Sequence, residues 1–304
     1  MIDCVFTNYL DLKALYEKYG LKRNIRDVFR IGFDGRIYVL IETESVGENR
    51  GRYSVLILDV DWDDEKLISS SCYNLGEFYS AFYHVQPIGE NILMVDCRSS
   101  YNKGNPEKNA MILTLGGEVL ERFCFGDGIR DVYVRPDNTI VTSYFDEGVF
   151  GNLGWGDPGG APPIGASGLV VWNEKGEQLF SAKHNIFDCY ALNVDSNNDI
   201  WYYYYDEFKL VRSNGDKEID FDPHIAGASF FALTEDGQKV IFDSGYDKYG
   251  TYEVYDLYKN TENEKLRFFF EESELLIANY RSYGSKAFFI DNNNRMYLKR
   301  FISV

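Results

Sequence analysis

Short apolar runs separated by polar turns recur along almost the whole chain. Residues 24–40 read NIRDVFRIGFDGRIYVL, 128–141 GIRDVYVRPDNTIV, 185–201 NIFDCYALNVDSNNDIW and 228–242 ASFFALTEDGQKVIF. Each is an apolar strand, a turn of Asp, Asn and Gly, then a second apolar strand, the pattern of a β-hairpin. Looser copies occupy 78–95, with a Pro-Ile-Gly-Glu turn, and 278–290, with Tyr-Gly-Ser. A second hairpin follows most copies, as in VLILDVDWDDEKLIS from Val55, MILTLGGEVLERF from Met111, LVVWNEKGEQLF from Leu169 and LVRSNGDKEIDF from Leu210.

The unit is therefore four antiparallel strands, with first strands beginning near residues 25, 78, 129, 187, 228 and 278. That repeat predicts an all-β fold, a six-bladed β-propeller of four-stranded antiparallel blades, as one domain over 1–304. The blades fall near 24–73, 77–125, 128–183, 185–222, 226–271 and 275–304. The last ends after its third strand. Residues 2–8, with Ile2, Cys4 and Phe6 alternating, are expected as its outer strand, so that an N-terminal strand closes the ring and removes a free edge. Residues 10–20 place Leu12, Leu15, Tyr16 and Tyr19 at helical spacing before Gly20, predicting one short N-terminal helix. Residues 1–23 thus form a closing strand and helix.

The turns in VDSNNDIW (194–201), FDGRIY (33–38) and RPDNTIV (135–141) resemble the D-x-x-G-x-I-W hairpins of NHL-repeat, gluconolactonase-like and sensor-type propellers. The run YFDEGVFGN-GWG…PIG resembles a signature of uncharacterised bacterial propeller proteins. These resemblances imply the fold and no activity. The acid and Asn metal set that a gluconolactonase-like enzyme needs has no residue-by-residue match.

One stretch breaks the pattern. Residues 144–169, YFDEGVFGNLGWGDPGGAPPIGASGL, hold eight of the chain's 27 glycines and three of its seven prolines. Such a composition predicts neither helix nor paired strand, because glycine loosens the backbone and proline removes a donor. In up-and-down order this is the connection between the second and third strands of blade three. It is expected to fold over the channel mouth, on the face that also carries the connections 44–52, 98–108 and 244–250.

Candidate chemistry gathers on that face. Asp146, Glu147 and Asp157 of the long stretch, with Trp155 as an anchor set between two glycines, form a candidate ligand-binding wall. Asp206 and Glu207 of the next blade repeat the Tyr-x-Asp-Glu pattern and reach the same rim. The first strands begin with small polar residues, Asp27, Ser80, Asp131, Asp188, Ser229 and Asn279. Among these Asp27, Asp131 and Asp188 could hold a cation such as Ca²⁺, or the set could simply cap neighbouring backbone. Asp59–Glu65 mimics the start of a calcium loop without its central Gly or closing Glu. Tyr202–Tyr205 reads as blade packing or as a stacking platform.

Composition narrows the partners. A net charge of -17 excludes a nucleic-acid surface, which needs a basic stripe. It fits a basic or amphipathic peptide or protein, or a small cationic ligand. Five scattered cysteines without C-x-x-C read as reduced thiols in a cytoplasmic, monomeric protein, and no run is apolar enough for a membrane span. Isolated His84, His184 and His224 argue against zinc, and no G-x-S-x-G elbow, P-loop or dinucleotide fingerprint occurs. Nothing requires a cofactor. The expectation is non-catalytic binding over the central channel. The alternatives are a metal-dependent hydrolase or lactonase using rim carboxylates, and a carbohydrate-binding propeller.

Overall fold

Four of the inner hairpin turns are held by a side chain of their own that accepts a backbone N–H. Asp34, Asp137, Asp195 and Asp236 accept the backbone N–H two residues on, from Arg36, Thr139, Asn197 and Gln238 at 2.8–3.1 Å. Such turns build six sheets in a computed structural model that describes residues 1–22, 27–47, 50–246, 248, 250–259 and 261–303. The strand start expected near residue 25 lies outside the described residues.

Blade one runs Val28–Ile31, Ile37–Gly47, Arg50–Asp61 and Lys66–Phe78. Its second and third strands pair well into the 44–52 stretch that was expected to be open loop. Blade two runs Phe82–Ile88, Asn91–Asp96, Ala110–Leu113 and Val119–Phe123. Blade three is Ile129–Val134, Ile140–Tyr144, Leu169–Trp172 and Gln178–Ser181. Blade four is Asp188–Val194, Ile200–Tyr205, Leu210–Ser213 and Glu218–Phe221. Blade five begins Phe231–Leu233, Lys239–Asp243, Tyr252–Asp256 and Glu264–Phe270. Blade six begins Ile277–Tyr283, Lys286–Asp291 and Arg295–Arg300. The protein is an all-β, six-bladed propeller.

The N-terminus closes the ring, but by a different segment from the one expected. The outer strand of blade six is Leu10–Asp11, antiparallel to Arg295–Arg300. Ile2–Phe6 instead lies parallel to Glu264–Phe270 as a fifth strand of blade five. The register explains the choice. It sets Ile2, Cys4 and Phe6 beside Leu266, Phe268 and Phe270, so the alternating apolar face meets an equally apolar one. Phe6 then packs on Phe268, Phe289 and Tyr297, in the seam between blades five and six.

The helix spans Leu12–Lys18 and buries Leu12, Leu15 and Tyr16. Asp11 caps its start by accepting the Ala14 N–H at 3.1 Å. Gly20, at φ +65°, ends it, and the Leu21 N–H returns to the Tyr16 carbonyl at 2.9 Å. The Tyr19 hydroxyl reaches the Ser70 carbonyl on the outer strand of blade one, so the helix ties the last blade to the first.

The calcium-like run is structural. Asp61 accepts the N–H groups of Asp63 and Asp64, and Asp63 pairs with Arg300. Glu65, buried, accepts both the N–H and the hydroxyl of Thr7, at 2.6 and 2.9 Å, and pairs with Lys299 at 2.8 Å. The axial channel is filled at its middle. Tyr133 of blade three donates to the Ser282 carbonyl of blade six at 2.7 Å, and Tyr283 donates to the Val134 carbonyl at 2.9 Å. All five cysteines are free, and burial pushes Cys4 up to about 11 and Cys97 to about 12. Among the described residues no helix is long and apolar enough to cross a membrane.

Replacing Glu65 strands two donors of the closing segment and the Lys299 charge. Glu65→Ala should lower the unfolding free energy by about 3 kcal/mol, measured by guanidinium titration, with Glu65→Gln losing about half as much.

Candidate functional site

The Gly-rich stretch of blade three is folded down and pinned. It opens with a helical turn, Asp146–Phe150, where sequence composition predicted none. Gly148 makes this possible, since a Cβ there would sit 2.5 Å from the Asp127 carbonyl oxygen. Trp155 is 4% exposed. Its indole N–H donates to the Ser99 carbonyl at 2.8 Å and its ring lies 5.0 Å from that of Tyr101. Gly154 follows from this clasp: its φ is +96°, and a Cβ would fall 2.1 Å from the Tyr101 carbonyl oxygen. The stretch therefore grips the 98–108 connection of blade two.

The acids of this rim have separate fates. Glu147 pairs with Arg98 at 2.5 Å, and that guanidinium holds its carboxyl below the usual range. Arg98 also pairs with buried Asp127 at 3.0 Å. Glu207 pairs with Lys209 at 2.8 Å and accepts the Tyr204 hydroxyl, which lowers its proton affinity in the same way. Asp146, Asp157 and Asp206 are exposed. None of Asp146, Glu147, Trp155, Asp157, Asp206 and Glu207 lines a cavity at the channel mouth.

The three candidate metal aspartates are held apart by different partners. Asp27 accepts the Tyr16 hydroxyl at 2.9 Å. Asp131 lies 3.5 Å from the Arg30 Nε and 3.7 Å from the His84 Nδ1. Asp188 feels Arg130 and Asp146. Among the described residues no three His, Cys, Asp or Glu side chains are grouped to hold a metal ion. The two serines of the polar set are anchors: Ser80 and Ser229 donate their hydroxyls to Asp96 and Asp243 at 2.7 and 3.0 Å.

The mouth is lined by Asp27, Asp131, Ser229 and Asn279 of the polar set together with a set of bulge residues. The first strands of blades two, three, four and six each slip register against their second strands, between Phe82 and His84, Ile129 and Asp131, Cys189 and Ala191, and Ile277 and Asn279. The extra residues are Tyr83, Arg130, Tyr190 and Ala278. A β-bulge leaves one residue unpaired and re-aims its side chain. All four point to the mouth, where two adjoining cavities of about 670 and 480 Å³ share Arg130, Asn279 and Arg281. Tyr133, Phe231 and Ser282 floor the larger one. Tyr190 hydrogen-bonds Tyr246 and lies near-parallel to Tyr205, the exposed member of the tyrosine run. Tyr202, Tyr203 and Tyr204 are buried in the blade seams.

The inner mouth sets Arg30, Arg130, Arg281 and Lys248 among Asp27, Asp131 and Asp243. Arg30 is buried, donates to the His84 Nδ1 at 2.9 Å, and is pushed down to about 10 by burial and then by Arg281. That donation leaves the His84 proton on Nε2. Burial, Arg30 and Arg281 together keep the imidazole neutral. Asp188 is pushed up to about 6 by burial, with Asp146 adding and Arg130 opposing. Asp188 lines neither mouth cavity, although a carboxyl raised in this way is the kind of group general acid–base chemistry uses.

With the fold and mouth established, comparison with known proteins adds the architecture. No protein-family model matches the chain, and no curated protein does. Among solved structures it is similar to virginiamycin B lyase from Staphylococcus aureus, at 12% identity and TM-score 0.52, covering 89% of this chain and 79% of that one. A streptogramin B lyase gives 10% identity and TM-score 0.50, covering 93% and 87%. A chain of the mitotic checkpoint complex gives 7% and 0.51, covering 93% of both. At such identities the likeness is one of fold alone.

Two outcomes follow. Gly154→Ala should open the clasp, so that limited proteolysis cuts within 150–163 at least about tenfold faster than in wild type, while the melting temperature falls by only about 2 °C. Asp188 binds its proton more tightly folded, at about 6, than at its ordinary 3.8. It therefore costs stability as pH rises through that window, and fully above it. Asp188→Asn should raise the melting temperature by about 2 °C at pH 8, after solvent screening, and by nothing at pH 4.

Proposed function

We propose that this protein is a non-catalytic binding propeller that holds a small ligand at the channel mouth, in the cavities over the filled axis. The supporting observation is the recurrence of the bulge. Four blades give up a ladder pair at the same height, and each released side chain, Tyr83, Arg130, Tyr190 or Ala278, borders the same concavity. Bulges next to a concave site are a recurrent way of aiming binding side chains. A volume of about 670 Å³ suits a small organic molecule, and the mix of tyrosines with a few charged groups is that of a ligand pocket. The clasped 146–166 stretch lies outside these cavities, on the rim.

A second reading concerns the rim. Phe150 and Leu153 are 64% and 45% exposed beside the exposed Asp146 and Asp157. This patch fits a basic or amphipathic protein segment, with Arg98 neutralising the nearby Glu147.

The two are separated by paired variants. A thermal-shift screen of sugars, organic acids and amines should give hits that Tyr190→Ala/Tyr280→Ala loses and Phe150→Ser/Asp146→Ala keeps. Hits that survive the tyrosine pair would reject the mouth. A protein captured from host lysate by wild type, and lost only with Phe150→Ser/Asp146→Ala, would favour the rim.

A further inference from the structure

We infer that the mouth takes the anionic group of a small organic ligand, a carboxylate or a phosphate, held between Arg130 and Arg281. This rests on the reading of the mouth as the binding site. Both arginines border both cavities, from blades three and six. Among the described residues neither has a carboxylate within 4.0 Å, although the chain carries 48 Asp and Glu against 31 Lys and Arg. Arg130 is exposed and Arg281 half-buried, so both guanidiniums keep donors open to an arriving oxyanion.

The neighbouring acids are already engaged. Asp243 accepts the N–H groups of Ser229 and Phe230 and the hydroxyls of Ser229 and Tyr280. Asp131 faces Arg30 and His84, and Asp27 takes the Tyr16 hydroxyl. Asp188 is near enough to feel Arg130, but at no ion-pair distance. Arg281 uses its Nη1 on the Tyr280 carbonyl, at 2.6 Å, and on the Asn279 side chain, at 3.4 Å; its Nε has no acceptor among the described residues. The Arg130 guanidinium carbon lies 5.8 Å from the centre of the Tyr190 ring. A guanidinium fork matches the paired oxygens of a carboxylate or phosphate. The rings of Tyr190 and Tyr280 border the same space and offer a flat wall to the body of the ligand.

The test is a ¹⁵N NMR titration of the whole chain, following the arginine Nε–H signals and the amides of Tyr190 and Tyr280. The probes are acetate, inorganic phosphate, glucose and glucosamine, at constant ionic strength. Saturable shifts at Arg130 and Arg281 are expected with acetate or phosphate, with Kd of about 1–10 mM, and at least about tenfold weaker response to the other two. The stronger anion names the group. Arg130→Gln/Arg281→Gln, checked by circular dichroism for folding, should abolish the preference. Linear, surface-like shifts with both anions, or a preference that survives the double variant, would overturn the inference. If glucose or glucosamine saturates the Tyr190 and Tyr280 signals while the anions do not, the mouth stands as a site and its anion preference falls. If no probe moves these signals, both fall.

Discussion

Ring closure is the constraint on which the rest depends. Six blades contribute side chains to one axis, and those side chains meet only if the first and last blades are held together. Here the N-terminal segment does this with two strands and a helix. Ile2–Phe6 extends blade five, Leu10–Asp11 completes blade six, and Leu12–Lys18 reaches blade one. Glu65 locks the step between the two strands through Thr7 and Lys299. Splitting the closing segment over two blades spreads the latch across a seam rather than one edge, with Phe6 filling that seam among Phe268, Phe289 and Tyr297.

Closure brings opposite blades into contact. The Tyr133–Ser282 and Tyr283–Val134 hydrogen bonds run between blades three and six, and Asn193 accepts the Gly284 N–H at 2.7 Å from blade four. The axis is therefore a floor, and the space above it a bowl. The bulges decide what faces that bowl. Without them, strict alternation would set Arg130 and Tyr190 into the ladder with their neighbours; with them, each becomes the unpaired residue at the lip.

Charge differs between rim and mouth in how it is paired. Rim carboxylates either meet a cation, as Glu147 meets Arg98 and Glu207 meets Lys209, or face water as Asp146, Asp157 and Asp206 do. Inside, Arg30, Arg130 and Arg281 stand close to neutral His84, with Asp27, Asp131 and Asp243 among them. A whole-chain charge of -17 therefore says little about the potential at the mouth, where low-dielectric walls let a few near charges outweigh many distant solvated ones.

The repeat of apolar strand, Asp/Asn/Gly turn and apolar strand was enough to determine the fold, because strand alternation and Asx turns are local properties that tertiary packing does not reverse. The helix over Leu12–Lys18 was legible for the same reason, from its spacing and from Gly20. Only the tertiary structure decided where Ile2–Phe6 would pair, since an alternating strand matches any apolar edge and the choice fell to register with Leu266 and Phe268. Only it decided that Trp155 turns inward, because the indole acceptor, the Ser99 carbonyl, belongs to another blade. The Gly-rich stretch drew attention by composition, yet none of its acids lines the mouth; Asp27, Asp131, Ser229 and Asn279 of the recurrent polar set do, beside bulge residues that carry no motif. A bulge leaves no reliable mark in sequence, and one slipped residue exchanges the two faces of a strand. The side chains that meet over the axis are therefore set by the ring and by nothing shorter.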